Sequence, residues 1–292
     1  MKTFRTFGCI VAVIFMSANF LACKEEVNDD KSGLKLASLG IAQIKSCTCT
    51  NHLDSTETYI FCYDSNGRVN GIVSEQVAFS DNPLTFSVDR DSHEDHVVGR
   101  VYDIELNEAG CATSMKYESA IYPYYFNEEE PHVDNCFYTL QYDSDNHLVA
   151  VSEIIEDQNN CRLFKDELAL IWENDDLIRI ESTLEETGDD GEIQISTTTV
   201  EMEYGEAVNN GVFSDKQFPF PVYFSQFGLI GRSTKHLADY VAVCTVRNNR
   251  RYIDLCTLAY EFDEKGRVTK ITSTTNEANN STPIVEIQTY TY

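Results

Sequence analysis

Basic residues are scarce. The 292-residue chain carries 22 Lys and Arg against 48 Asp and Glu, a formal net charge of −26. A field of that sign repels phosphate backbones and anionic membrane surfaces, which excludes nucleic-acid binding. Tryptophan is scarcer still. Trp172 stands alone beside 16 Tyr, and carbohydrate platforms commonly use flat aromatic faces, so weight shifts from a glycan towards a protein partner. A bilayer-spanning helix needs about 20 apolar residues, and the apolar stretch Gly8–Ala22 has 15, broken by Ser17 and Asn19. No Gly-x-Ser-x-Gly elbow and no phosphate-binding glycine loop occurs, which removes the commonest signatures of hydrolases and nucleotide enzymes. No carboxylate pair for glycoside hydrolysis can be picked from 48 acids. The 42% hydrophobic and 11% aromatic content nevertheless suffices for a packed core.

What is present begins with an address. Lys2 and Arg5 precede Gly8–Ala22, and Phe20-Leu21-Ala22-Cys23 closes the segment. This has the form of a signal peptide, and its end resembles a bacterial lipobox in which Cys23 receives lipid and becomes the new N-terminus. Lys24-Glu25-Glu26-Val27-Asn28-Asp29-Asp30 follows, a polar tether resembling the surface-export signal of Bacteroidota lipoproteins. The expected organisation is a signal peptide at 1–22, a disordered acidic tether at 23–38 and one β-domain at 39–292. The expected location is the outer membrane, anchored through Cys23 and facing outward.

Eight cysteines remain after Cys9 and Cys23. An even number in an exported chain suggests disulfides. Cys49 and Cys62 flank a turn-like segment, as do Cys244 and Cys256, and each pair is expected to face across a hairpin. The pairing of Cys47, Cys111, Cys136 and Cys161 is left open. A metal at Cys47-Thr48-Cys49 and His52 is disfavoured, because structural zinc sites use four ligands with wider spacing. No metal and no cofactor is expected.

One turn pattern recurs. It reads Tyr63-Asp64-Ser65-Asn66-Gly67-Arg68-Val69, Tyr142-Asp143-Ser144-Asp145-Asn146-His147-Leu148 and Phe262-Asp263-Glu264-Lys265-Gly266-Arg267-Val268, with a weaker copy at Leu106–Met115 and a shortened one at Trp172–Ile180. An aromatic ends one strand, Asp or Asn starts the turn, and Gly or Asn takes the positive-φ position of a type I turn with a G1 bulge. Acidic turns such as Asp143, Asp145 and Asn146, or Asp189 and Asp190, complete no EF-hand loop. The segments Val97–Leu106, Phe137–Tyr142, Leu163–Trp172, Glu192–Tyr204, Tyr252–Phe262 and Ile284–Tyr292 read as strands. The fold class is all-β: an antiparallel meander of roughly 14 strands, curled strongly or partly closed into a barrel.

Residues 205–240 interrupt the meander. Phe213, Phe218, Phe220, Tyr223, Phe224 and Phe227 cluster there, and Pro219 and Pro221 deny the stretch a central strand. Ser233 is expected to cap a short helix over Leu237–Tyr240. The cluster is either a plug or an exposed binding surface formed by Phe218, Phe220, Tyr223, Phe224 and Phe227. The turn pattern, Tyr204-Gly205 with Asn209, and Gly228-Leu229-Ile230-Gly231-Arg232-Ser233-Thr234-Lys235-His236-Leu237 together resemble a family of Bacteroidota lipoproteins containing a domain of unknown function, locally similar to YD repeats. The resemblance implies a large curved β-meander and transfers no catalytic residue.

The densest titratable cluster, Asp91 with His93-Glu94-Asp95-His96, lacks the spacing of a metalloprotease helix and reads as a charged loop. The sequence therefore points to a non-enzymatic surface lipoprotein binding an extracellular glycan or protein. A glycan or peptide hydrolase and an envelope scaffold are the alternatives.

Overall fold

A computed structural model describes residues 39–292 other than 52–55, 64–68, 74–77, 82–83, 92–94, 124–131, 158–161, 188–190, 215, 219–224, 227 and 278–281. Sixteen strands form one antiparallel sheet. They are β1 (Ser46–Thr50), β2 (Thr56–Tyr63), β3 (Val69–Val73), β4 (Ala78–Asp81), β5 (Leu84–Asp91), β6 (Asp95–Leu106), β7 (Ala112–Pro123) and β8 (His132–Tyr142), followed by β9 (Leu148–Asp157), β10 (Arg162–Glu173), β11 (Asp176–Thr187), β12 (Ile193–Val208), β13 (His236–Arg247), β14 (Arg250–Phe262), β15 (Val268–Asn276) and β16 (Ile284–Thr291).

The spatial order runs β3-β2-β1-β16 and then down in sequence to β4. The two edge strands, β3 and β4, are thus consecutive in the chain. Laid flat, sixteen strands would separate them by about 70 Å. The link from Val73 to Ala78 reaches at most about 18 Å. The sheet is therefore rolled into a cylinder, left unpaired along the β3–β4 seam.

The described copies of the recurrent turn form as their chemistry dictates; the copy at 64–68 lies outside the described residues. Asn146, Gly110 and Gly266 have φ of 66°, 82° and 74°. Asp143 accepts from Asn146 N and donates its own N–H to His147 O, and Asp263 does the same with Gly266 and Arg267. Each Asp carboxylate also caps its turn, Asp143 Oδ1 accepting from Asp145 N and His147 N, and Asp263 Oδ1 from Lys265 N and Arg267 N. The shortened copy is a two-residue turn with Asn174 and Asp175 both at positive φ.

All these turns lie at one end of the cylinder. There the aromatic that ends one strand bonds a main-chain carbonyl at the start of a neighbouring strand. Trp172 Nε1 donates to Leu148 O, Tyr204 Oη to Leu177 O, Tyr260 Oη to Ala238 O and Tyr292 Oη to Val268 O, at 2.6–2.9 Å.

Two sequence expectations fail here. The segment 233–240 is not helical: β13 begins at His236, where Asp176 accepts from His236 N and bonds its ring, and the strand pairs with both β12 and β14. The expected cysteine pairs are also out of register. Cys49 faces Glu57, and Cys62 faces Gly71. The tight Asn248–Asn249 turn sets Cys244 opposite Ile253 and Cys256 opposite Val241. The seven described cysteines are thiols, so no disulfide joins them.

Candidate ligand cavity

A sixteen-strand circumference is too wide for wall side chains alone to fill. This chain fills one end with the segment between β12 and β13 and with the residues before β1. Val212, Phe213, Phe218, Leu229 and Ile230 of the insert, and Leu39, Ile41 and Ile44, are buried against the wall. The insert touches the wall around its circumference. Gln226 accepts from Tyr63 Oη of β2, and Leu229 O accepts from Ala112 N and Tyr142 Oη. Phe218 lies tilted 6.2 Å from Trp172 of β10, and Lys216 pairs with Glu286 of β16. Gly211 meets the N-terminal segment so closely that an added Cβ would fall 2.0 Å from Gly40 O.

Above the plug the lumen is incompletely filled. A cavity of about 330 Å³ remains between the inner faces of β9–β12 and residues 216–218 of the insert. That volume is within the range of ligand pockets, about 300–1,000 Å³. Its wall follows from strand alternation. Near the plug the inward residues are Ile180 and Val200. Two residues along stand Leu168, Ser182 and Thr198, then Glu153, Asp166, Leu184 and Ser196, then Ile155 and Phe164. The lining is apolar next to the plug, mixed in the middle, and apolar again at Ile155 and Phe164.

Glu153 and Asp166 are its most distinctive members. They stand directly opposite each other on β9 and β10. Tyr138 Oη donates to Glu153 Oε1 at 2.6 Å, and Ser182 Oγ to Asp166 Oδ1 at 2.7 Å. Burial raises both carboxyls above their ordinary range, against the lowering effect of these bonds. Tyr138 is raised well above the usual phenol value by its own burial.

The sequence-predicted residues are placed otherwise. Phe218 is buried, 5.0 Å from Phe213, and forms part of the cavity lining. Phe220, Tyr223, Phe224 and Phe227 lie outside the described residues, as do Cys23, Cys161, His93, Glu94, Asp189 and Asp190. Asp91 and His96 pair in register at the β5–β6 turn. The carboxyl of Asp143 is committed to its turn and to His147 Nδ1 at 2.9 Å. Among the described residues no group of three or more His, Cys, Asp or Glu could hold a metal. Glu153 and Asp166 went unnoticed in the sequence. The available signal was alternation: each stands two residues from an inward apolar residue, Val151 or Leu168.

A rolled antiparallel sheet with a plugged lumen belongs to the porin-like class of architectures. Residues 87–270 match the family described as a domain of unknown function (DUF4595) with porin-like fold, and the chain belongs to that family. It is similar to the crystal structure of a porin-like protein from Bacteroides vulgatus ATCC 8482 at 2.80 Å resolution, with 12% identity, a TM-score of 0.56, and 85% of this chain and 98% of that chain covered. It is also similar to a porin-like protein from Bacteroides uniformis ATCC 8492 at 2.32 Å, with 13% identity, a TM-score of 0.50, and 86% and 98% covered. At these identities the likeness concerns the fold. No curated protein matches the sequence.

Proposed function

We propose that this protein is an outer-membrane lipoprotein, anchored through Cys23, that binds a small polar ligand in its lumen without catalysing a reaction. The observation that carries the binding reading is the cavity between β9–β12 and the insert, with apolar walls and a few convergent polar groups, the usual composition of a ligand site.

Anchoring by lipid rather than by the sheet is supported by the outward face. A membrane-spanning β-barrel presents an apolar band about 25 Å tall. Here the outward positions in the middle of β10 and β11 include Lys165, Glu167, Arg179, Glu181 and Glu185 beside Ala169, Ile171 and Thr183, with ion pairs Lys165–Glu167 at 3.0 Å and Arg179–Glu181 at 2.8 Å. Those charged groups suit water. The N-terminal segment Leu39–Ile44 packs at the plugged end. A tether from Cys23 then holds that end towards the membrane and leaves the opposite end facing away from it.

The test is native mass spectrometry of the detergent-extracted full chain with a library of mono- and disaccharides, amino acids and amines. Saturable one-to-one binding that Thr198→Phe abolishes, in a variant with an unchanged circular dichroism spectrum, is the expected result. Binding that survives this filling of the cavity overturns the reading. Orientation is tested by protease shaving of intact cells beside a known periplasmic lipoprotein. Digestion of this protein alone supports surface exposure, and its survival until the membrane is opened, with cleavage thereafter, rejects it.

A further inference from the structure

We infer that the lumen cavity takes a small organic ammonium ion with an apolar body, its charged head seated between Glu153 and Asp166. This rests on the ligand-binding reading above and names the ligand's chemical class.

The charge inventory of this part of the lumen carries the inference. Among the described residues two basic side chains stand beside the cavity, and each has its own acid: Lys216 pairs with Glu286, and Arg247 with Glu186 at 3.1 Å. Glu153 and Asp166 are left over. Among the described residues neither has an ion pair, and their side-chain partners are the hydroxyls of Tyr138 and Ser182. Register sets the two acidic residues directly opposite each other on the lumen face, with Cβ atoms about 4.5–5.5 Å apart. Like charges so placed repel across a strand pair. A cation between them converts that repulsion into two attractions, strengthened by the low local dielectric.

The rest of the lining selects the kind of cation. Ile155, Phe164, Leu168, Ile180 and Leu184 surround the pair with hydrocarbon. A bare calcium ion takes six to eight oxygens and gains nothing from such walls. An ammonium group on a hydrocarbon stem uses both parts. Its N–H groups reach the carboxylates, and its stem covers the apolar side.

The experiment is isothermal titration of the full chain with butylammonium and phenethylammonium, beside the isosteres 2-phenylethanol and phenylacetate. The ammonium ions should bind saturably, at least tenfold more tightly than the alcohol, and phenylacetate should not bind. Glu153→Gln with Asp166→Asn should weaken ammonium binding tenfold or more and leave the alcohol unaffected; either single variant substitutes if the double one does not fold. Equal binding of amine and alcohol overturns the ammonium assignment while the cavity reading stands. Absence of ammonium binding, or ammonium binding that ignores these substitutions, also overturns it. The cavity itself is decided separately by Thr198→Phe and the broader library.

Discussion

Trp172 stacks on His147, with ring centroids 4.4 Å apart and planes inclined by 20°. Trp172 is the only tryptophan in the chain, so its emission reports on the plugged end alone. His147 is buried and bonded through Nδ1 to Asp143. His147→Ala removes a stack worth about 0.5–1.5 kcal/mol and a hydrogen bond worth about 1 kcal/mol. A loss of about 1–3 kcal/mol in urea unfolding is expected, with a shifted Trp172 emission in the folded state. A variant with unchanged emission would show that the stack does not form in solution.

The insert should be separable from the wall by one methyl group. Gly211 has φ +87°, and a Cβ there would meet Gly40 O at 2.0 Å and Ala42 N at 2.4 Å. Gly266 has φ +74° and nothing within 4 Å of an added Cβ. Gly266→Ala therefore carries only left-handed strain of about 1–2 kcal/mol. Gly211→Ala carries that strain plus a backbone collision, and should unfold at clearly lower denaturant. Hydrogen exchange should accelerate at residues 39–44 in Gly211→Ala and not in Gly266→Ala. Equal loss in both variants would mean the N-terminal segment is not packed on the insert.

The turns were readable from the sequence because each is decided by three or four adjacent residues. Asp143 and Asp263 cap their own main chain, and Asn146, Gly110 and Gly266 supply the positive φ. Long-range placement was not readable. The Cys244–Cys256 pair failed because Asn248–Asn249 forms a two-residue turn, which moves the hairpin centre away from position 250 and shifts every partner. Cys49–Cys62 failed because β1 and β2 pair with Thr50 opposite Thr56, which sets Cys49 opposite Glu57. His236–Tyr240 became strand because two neighbouring strands claimed it, a tertiary effect that outweighs a local capping signal. The carboxylate pair needed inter-strand register as well as alternation, and no single segment carries that.

The thiols should react in the order of their exposure. Burial pushes Cys111 up to about 11 and Cys136 up to about 12, the latter with smaller contributions from Glu153 and Asp134. The reactive species is the thiolate, so both should resist a maleimide at pH 7 until the chain unfolds. Cys49, Cys62 and Cys244 are only partly buried and should be modified first. Peptide mass spectrometry resolves the order. The melting temperature should not change on adding a reductant, since the described thiols form no cross-link. A fall in melting temperature with reductant would reveal a disulfide that the register does not allow for Cys49–Cys62 or Cys244–Cys256.

The opposed acids predict a particular pH dependence of stability. Burial raises the folded-state pKa of both Glu153 and Asp166, whereas the unfolded chain keeps ordinary values of about 4.3 and 3.9. The folded protein therefore binds more protons than the unfolded one in the interval between those values, and stability falls as pH rises through it. Below the unfolded values both states are protonated, and the penalty vanishes. Above the raised folded-state values both states are ionised, and the penalty is complete. Asp263 acts in the opposite sense: main-chain bonds led by Arg267 N hold its carboxyl low, so its contribution is present at neutral pH and lost on strong acidification. Glu153→Gln and Asp166→Asn keep shape and remove the charge. Each should raise the melting temperature at pH 7, and the gain should shrink towards zero at pH 4 and below. Asp263→Asn should lower it at pH 7, with the loss shrinking in acid. A gain from Glu153→Gln that stays constant from pH 4 to pH 8 would mean that altered packing, not charge, separates it from the parent. If the ammonium assignment is right, phenethylammonium should erase most of the neutral-pH advantage of the Gln and Asn variants, because the cation stabilises only the chain that keeps both carboxylates.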